Sequence, residues 1–153
     1  MKRLPESRRP ESKTPKRKAA RREARPSGPH DFPSIGVDIE SIGRFKGLAR
    51  RSSLIERVFT SEEIAYCFSK ANPAQHLAAR YAGKEAVMKA LGSVMGRRFT
   101  PAEYAKIAIT TDADGAPGVE LHLDDACRCF LKLSLSHADG YAIAVAFIDD
   151  KTL

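Results

Sequence analysis

Asp38 stands in an unusual place for an acid. It sits inside Ile35-Gly36-Val37-Asp38-Ile39-Glu40, a short run rich in β-branched residues that reads as a buried strand. A carboxylate in an apolar strand costs free energy unless it is paired or bound to a cation. Further along, Arg80-Tyr81-Ala82-Gly83-Lys84-Glu85-Ala86-Val87-Met88-Lys89-Ala90 reads as a helix. Glu85 and Lys89 are four residues apart there and share one helix face. Two acids and a lysine suit a divalent cation held beside a phosphate.

Each feature has a plainer reading. Asp38 can be a strand-end acid facing water or capping the element that follows. Glu40 alternates with it and faces the same side. Glu85 and Lys89 can be a surface ion pair worth a few tenths of a kcal/mol. Against that, the helix around them is apolar, and Ala82, Gly83 and Ala86 allow close approach by another element or a ligand. Arg80, Lys84 and Lys89 add cationic groups able to meet phosphate oxygens. Ser134-Leu135-Ser136-His137 leads into a turn, and local hydroxyl back-bonding explains it without any catalytic triad. Asp114-Gly115-Ala116-Pro117 reads as a tight turn, and no GxxxxGK[ST] phosphate loop is present.

The elements that must position these residues follow from the pattern. Ser34 to Ile39 is a strand, and Ile42 to Arg51 reads as a helix broken at Ser52-Ser53. Leu54 to Phe59 is ambiguous. Thr60, with Glu63 three residues on, predicts a capped helix running to about Lys70. Ala74 to Leu91 predicts the next helix, with Gly92 as its C-cap. Ala105 to Thr111 and Val119 to Leu123 form a hairpin candidate, Asp124 to Cys129 a short helix, and Leu131 to Ser136 and Tyr141 to Ile148 two more strands. Helices and hairpins without regular βαβ alternation predict an α+β fold.

Composition sets the outer bounds. The 153 residues are 42% hydrophobic, enough for one globular domain, and no apolar run reaches the roughly 20 residues of a membrane span. No secretory h-region is visible, so a cytoplasmic protein is expected. Of 26 Lys and Arg and 19 Asp and Glu, residues 1–30 hold 11 and 3, leaving 15 against 16 in the rest. The excess charge therefore belongs to the first segment, which carries five prolines and few apolar side chains. Residues 1–31 are expected to be a disordered basic extension, and residues 32–153 the folded domain. Such an arm fits RNA, acidic lipid or an acidic protein, and equally a passive extension. Cys67, Cys127 and Cys129 give neither a disulfide framework nor a zinc pattern.

Taken in register, Ile35–Ile39, Arg57–Glu63, Arg80–Gly92, Asp114–Pro117 and Ser134–His137 resemble the bacterial holo-acyl-carrier-protein synthases, the short form of 4′-phosphopantetheinyl transferase. The resemblance runs from about Ile35 to Ile148. It implies that fold, an antiparallel sheet with packed helices. It also implies transfer of the phosphopantetheine arm of coenzyme A to a serine of apo acyl carrier protein, releasing adenosine 3′,5′-bisphosphate. By the same resemblance, Asp38 and Glu85 hold Mg2+, Lys89 meets phosphate, and Asp38, Glu85 and Lys89 form the catalytic set. Arg80, Lys84, Lys89, Ser136 and His137 match coenzyme-pocket positions. Arg44 and Arg51 match the face that docks the acidic carrier protein.

The resemblance further implies a homotrimer with active sites between subunits, so that Asp38 and His137 of one site come from different chains. The proton acceptor for the serine is either Glu85 or a metal-bound water held by Asp38. Departures are the basic extension, Tyr81 where phenylalanine is common, and Gly83 where alanine is common. Two other functions compete: a nucleic-acid-binding module acting through the extension, and a non-catalytic scaffold that docks carrier protein.

Overall fold

The computed structural model describes residues 33–123 and 129–149. The expected basic extension and most of the expected helix at 124–129 lie outside them. Strand β1 (Ser34–Ser41) is followed by a single 3-10 turn at Ile42–Phe45 and then by helices α1 (Ser53–Val58), α2 (Ser61–Phe68) and α3 (Pro73–Val94). A second 3-10 segment, Pro101–Lys106, leads into β2 (Ile107–Thr111), β3 (Pro117–Leu121), β4 (Phe130–Ala138) and β5 (Tyr141–Asp149). β1, β5 and β4 form one antiparallel sheet in that order, and β2 pairs with β3 as a separate hairpin. The α+β expectation is met.

α3 is the centre of the molecule. It is buried nearly all round, as a helix apolar on every side must be. One side lies on the inner face of the sheet, where β5 contributes Ala142, Ala144, Ala146 and Ile148, all fully buried. Small side chains there let the helix come close. At β1 the approach is closer still: a Cβ on Gly36 would lie 1.9 Å from the Ala86 carbonyl oxygen. Only glycine fits that point. The other side of α3 meets two apolar clusters. One joins its C-terminal half to Ile107, Ile109 and Leu123, and the other joins its N-terminal half to Phe45, Ile55, Phe59 and Cys67.

Local sequence signals explain the ends of α2 and the hairpin. The Thr60 hydroxyl accepts from Glu63 N–H at 3.3 Å while the Glu63 carboxylate accepts from Thr60 N–H at 2.8 Å, a complete capping box. In the β2–β3 turn, Asp112 Oδ1 accepts from the backbone N–H groups of Asp114 and Ala116 at 3.0 and 2.8 Å.

Three expectations are corrected. Ile42–Arg51 is not a helix: the chain makes one 3-10 turn and then bends at Gly47, whose φ of +74° ends any helical path. Gly92 is not a C-cap. It lies inside α3, which ends at Val94 with Met95 as its cap, and an added Cβ would stand 2.7 Å from the Arg97 carbonyl oxygen. β1 is not buried on both faces: Gly36, Asp38 and Glu40 turn inward, while Ile35, Val37 and Ile39 are 64%, 50% and 64% exposed in the single chain. Tyr141, Ile143 and Val145 of β5 extend that outer apolar surface.

Candidate active site

β1 and α3 bring Asp38 and Lys89 together. Lys89 Nζ lies 2.7 Å from Asp38 Oδ1 and donates to the Val37 carbonyl oxygen at 3.0 Å. The Gly36 contact with Ala86 fixes the spacing of the two elements. From there the chain runs back along α3, so that Phe45 reaches the Tyr81 ring at a centroid distance of 5.6 Å. Asp38 therefore lies on the Glu85 side of the contact. Helical side chains lean toward the N-terminus, which carries the Lys89 ammonium to the same side. The Lys89 side chain remains half exposed and that of Asp38 is 16% exposed, so the pair lies at a surface that solutes can reach.

Glu85 is half-buried and is held by phenols. The Tyr104 hydroxyl donates to Glu85 Oε1, and the Tyr81 hydroxyl lies 3.5 Å from the same oxygen. The two tyrosine rings stack at 5.5 Å with their hydroxyls 3.3 Å apart. Burial, followed by the Glu85 carboxylate, holds the Tyr104 hydroxyl protonated far above the usual phenol range. Over the Tyr81 ring sits the Arg44 guanidinium, 4.7 Å from the centroid, with its Nη1 2.6 Å from Glu40 Oε2. Burial opposes the Arg44 charge, but Tyr81 and Glu40 outweigh it and raise the pKa.

Lys84 behaves differently from its expected role. Its side chain is fully buried, its Nζ lies 2.8 Å from Glu63 Oε2, and it donates to the carbonyl oxygens of Tyr104, at 2.8 Å, and Ile107. Burial lowers its pKa and Glu63 opposes the shift. Glu63 also accepts from Ile109 N–H at 2.9 Å. In this chain Lys84 is an internal clamp joining α2, α3, β2 and the 3-10 segment. Its ammonium is taken up by these internal partners.

Arg80 is 4% exposed and lines a pocket. A cavity of about 530 Å³ lies between α2, α3 and the hairpin, bounded by Thr60, Glu63, Tyr66, Arg80, Thr111 and His122 among others. The Arg80 guanidinium lies 3.9 Å from the Tyr66 ring centroid and donates to Thr111 Oγ1 at 2.9 Å. Its buried Nε has no hydrogen-bond partner.

The remaining expected site residues stand apart. His137 Nε2 is 2.9 Å from Gln75 Nε2 in the first turn of α3. Gln75 is 14 residues from Lys89, about 21 Å along the helix axis. Ser136 precedes His137 on β4 and turns to the opposite face of the sheet, opposite Ile143 in the strand register. Arg51 is exposed in the turn before α1. Within the chain Asp38 meets Lys89, and Glu85 lies one helical turn before Lys89 with Tyr81 and Tyr104 at its carboxylate. Arg80 lines the cavity between α2, α3 and the hairpin, and Ser136, His137 and Arg51 stand elsewhere.

Tyr104 and Glu63 were not singled out for the site from sequence. Glu63 was legible as a cap, but nothing local marks its contact with Lys84. No pattern marks Tyr104 beyond an aromatic residue after Pro101. Among the described residues no three or more His, Cys, Asp or Glu converge as a metal cluster. The carboxylates of Asp38 and Glu85 are the candidate donors.

Known proteins resemble this chain in sequence and fold. A family model described as the 4′-phosphopantetheinyl transferase superfamily matches residues 34–146. A holo-[acyl-carrier-protein] synthase of Moorella thermoacetica is 41% identical over 123 residues, covering 74% of this chain and 91% of that protein. The solved ACPS–CoA complex of Chronobacterium ammoniagenes superposes with a TM-score of 0.66 at 28% identity, covering 77% of this chain and 97% of that one. Helicobacter pylori holo-[acyl-carrier-protein] synthase in complex with coenzyme A superposes at 0.59 with 29% identity, over 75% and 99% of the two chains. The chain belongs to the 4′-phosphopantetheinyl transferase superfamily and is a phosphopantetheinyl transferase.

Proposed function

We propose that this enzyme transfers the 4′-phosphopantetheine group of coenzyme A to a serine hydroxyl of apo acyl carrier protein, with Mg2+ as cofactor and adenosine 3′,5′-bisphosphate as the other product. The carrying observation is the meeting of Asp38 with Lys89 one helical turn from Glu85, on a reachable surface. The donor set suits the ion. Mg2+ takes one or two carboxylates and fills its remaining positions with water and phosphate oxygens, so Asp38 and Glu85 suffice without a larger cluster. Bound there, it would neutralise charge on the pyrophosphate.

The protein's own groups do the rest. Lys89 is placed to turn from Asp38 to a phosphate oxygen, and Arg80 offers a second cation to the same substrate. The serine oxygen forms a bond to the phosphorus that bears the pantetheine arm. The bond from that phosphorus to the bridging oxygen breaks, and the nucleotide leaves with the electron pair. With Oε1 of Glu85 held by Tyr104, Oε2 is the oxygen assigned the serine proton. The nucleophile belongs to the carrier protein, so no activated serine or cysteine is required here. Arg44 and Arg51 present positive charge to an acidic carrier.

The outer face of the sheet supports association of copies into a trimer with its sites between subunits. A monomer rarely exposes a contiguous apolar surface such as Ile35, Val37, Ile39, Tyr141, Ile143 and Val145. The separation of His137 and Ser136 from Asp38 within one chain fits their use by a neighbouring subunit's site. Residues 32–153 are proposed as the catalytic domain and 1–31 as a disordered extension, in a cytoplasmic protein. Among the described residues no helix is long and apolar enough to cross a membrane.

Incubation with coenzyme A, Mg2+ and an apo carrier protein, followed by mass spectrometry of the carrier, tests the transfer. A gain of one phosphopantetheine group is expected. No gain beside an active control enzyme overturns it for that carrier. Sedimentation of the full chain tests the trimer.

A further inference from the structure

We infer that Tyr104 is a positioning residue for the transfer, holding the Glu85 carboxylate through its phenol hydroxyl with Tyr81 as backing. The inference rests on the reading that Glu85 serves that transfer. A glutamate on a half-buried helix face has three rotatable bonds and wanders unless something fixes its head. Here the Tyr104 hydroxyl donates to Oε1, and the Tyr81 hydroxyl stands 3.5 Å from the same atom. The remaining oxygen, Oε2, is then aimed by the first.

The phenol can do this because every part of Tyr104 is itself fixed. Its ring stacks on Tyr81 at 5.5 Å. Its backbone carbonyl accepts from Lys84 Nζ at 2.8 Å, and Lys84 is locked by Glu63 at 2.8 Å in the interior. The 3-10 segment that carries it starts at Pro101 and is preceded by the N-cap Thr100, whose N–H donates to the Glu103 carboxylate at 2.8 Å. Tyr81 is held in turn by the Arg44 guanidinium on its ring. Lys84 thus acts on Glu85 twice, as its chain neighbour on α3 and through Tyr104. This accounts for a fully buried lysine beside a site carboxylate.

Tyr104→Phe keeps the ring, the stack and the Lys84 contact and removes one oxygen. Partners that orient a metal ligand or reacting group change affinity or rate by roughly 10- to 100-fold when removed. The experiment compares full-length wild type, Tyr104→Phe and Tyr81→Phe in the transfer assay. It also measures Mn2+ binding to each, read from the electron paramagnetic resonance of the free ion. For Tyr104→Phe the expected result is a kcat about 10-fold or more below wild type, a KM for coenzyme A within about twofold, and a Mn2+ dissociation constant raised about 10-fold. Tyr81→Phe shifts the same quantities less.

An unchanged kcat in an active enzyme, or an unchanged Mn2+ constant, overturns the proposal. So does a collapse of the thermal midpoint, which would make the hydroxyl a fold determinant. A wild type that transfers nothing refutes the transfer reading instead, and the Mn2+ comparison then still decides whether Tyr104 orients Glu85.

Discussion

Lys89 Nζ lies 2.7 Å from Asp38 Oδ1, joining residues 51 positions apart in the chain. The ion pair exists because a side-chain-free residue, Gly36, lets β1 lie directly on α3. In this arrangement the lysine neutralises the acid.

Asp38→Ala and Glu85→Ala should each lower transfer by roughly 10³-fold, the scale of losing a principal electrostatic group from a reaction centre. Both side chains are only partly buried, so circular dichroism and the thermal midpoint should stay near wild type. Turnover at the wild-type level in either variant would refute the assignment.

Lys84→Met should destabilise the fold by about 3–5 kcal/mol, because it leaves Glu63 as a buried charge without its ion-pair partner. Denaturant unfolding measures this. The double variant Glu63→Gln with Lys84→Met should lose less than the sum of the two single changes, since the uncompensated charge is then gone.

The glycines of the two packed elements should respond in opposite ways. Gly83→Ala should stabilise by up to about 1 kcal/mol, as the new methyl meets Ile109 and Leu135 at an ordinary 3.4 Å and the helix gains propensity. Gly36→Ala should destabilise by about 3 kcal/mol or more, since its methyl would strike backbone atoms of Ala86 and Ala90. Thermal melts of the two variants distinguish them at once.

Burial pushes the Cys67 thiol from its ordinary 9.0 up to about 11. The folded state then holds its proton more tightly than the unfolded state does. The resulting stabilisation is complete below pH 9 and is lost as pH rises toward 11, a fall of about 2–3 kcal/mol. Denaturation midpoints between pH 8 and pH 11 should fall more steeply in the wild type than in Cys67→Ala.

Arg44→Ala should raise the KM for the carrier protein about fivefold and flatten its salt dependence, with the KM for coenzyme A unchanged. Steady-state kinetics at two ionic strengths provide the check. A rise in the KM for coenzyme A instead would place Arg44 in the coenzyme pocket.

Much of this was legible where the cause is local. Thr60 and Glu63 announce a helix start, Asp112 to Pro117 announces a turn, and the four-residue spacing of Glu85 and Lys89 places them on one face. What failed was set by distant contacts. Ile42 to Arg51 carries helical periodicity, but the chain turns at Gly47. Gly92 looks like a helix end, yet it is small because the Arg97 carbonyl crosses over it. Lys84 looks like a pocket cation because its sequence neighbours do not reveal Glu63, 21 positions away, as its buried partner. For the same reason, nothing near Tyr104 foretells that its hydroxyl ends on Glu85.

Strand β1 carries two jobs on alternate residues: acids toward the helix and isoleucines away from it. Sliding it one position along β5 would exchange them, pointing carboxylates outward and driving Ile35 or Val37 into the Ala86 carbonyl. The gap that admits only glycine therefore acts as a keyway. It admits a single alignment of the edge strand, and that alignment delivers Asp38 to Lys89.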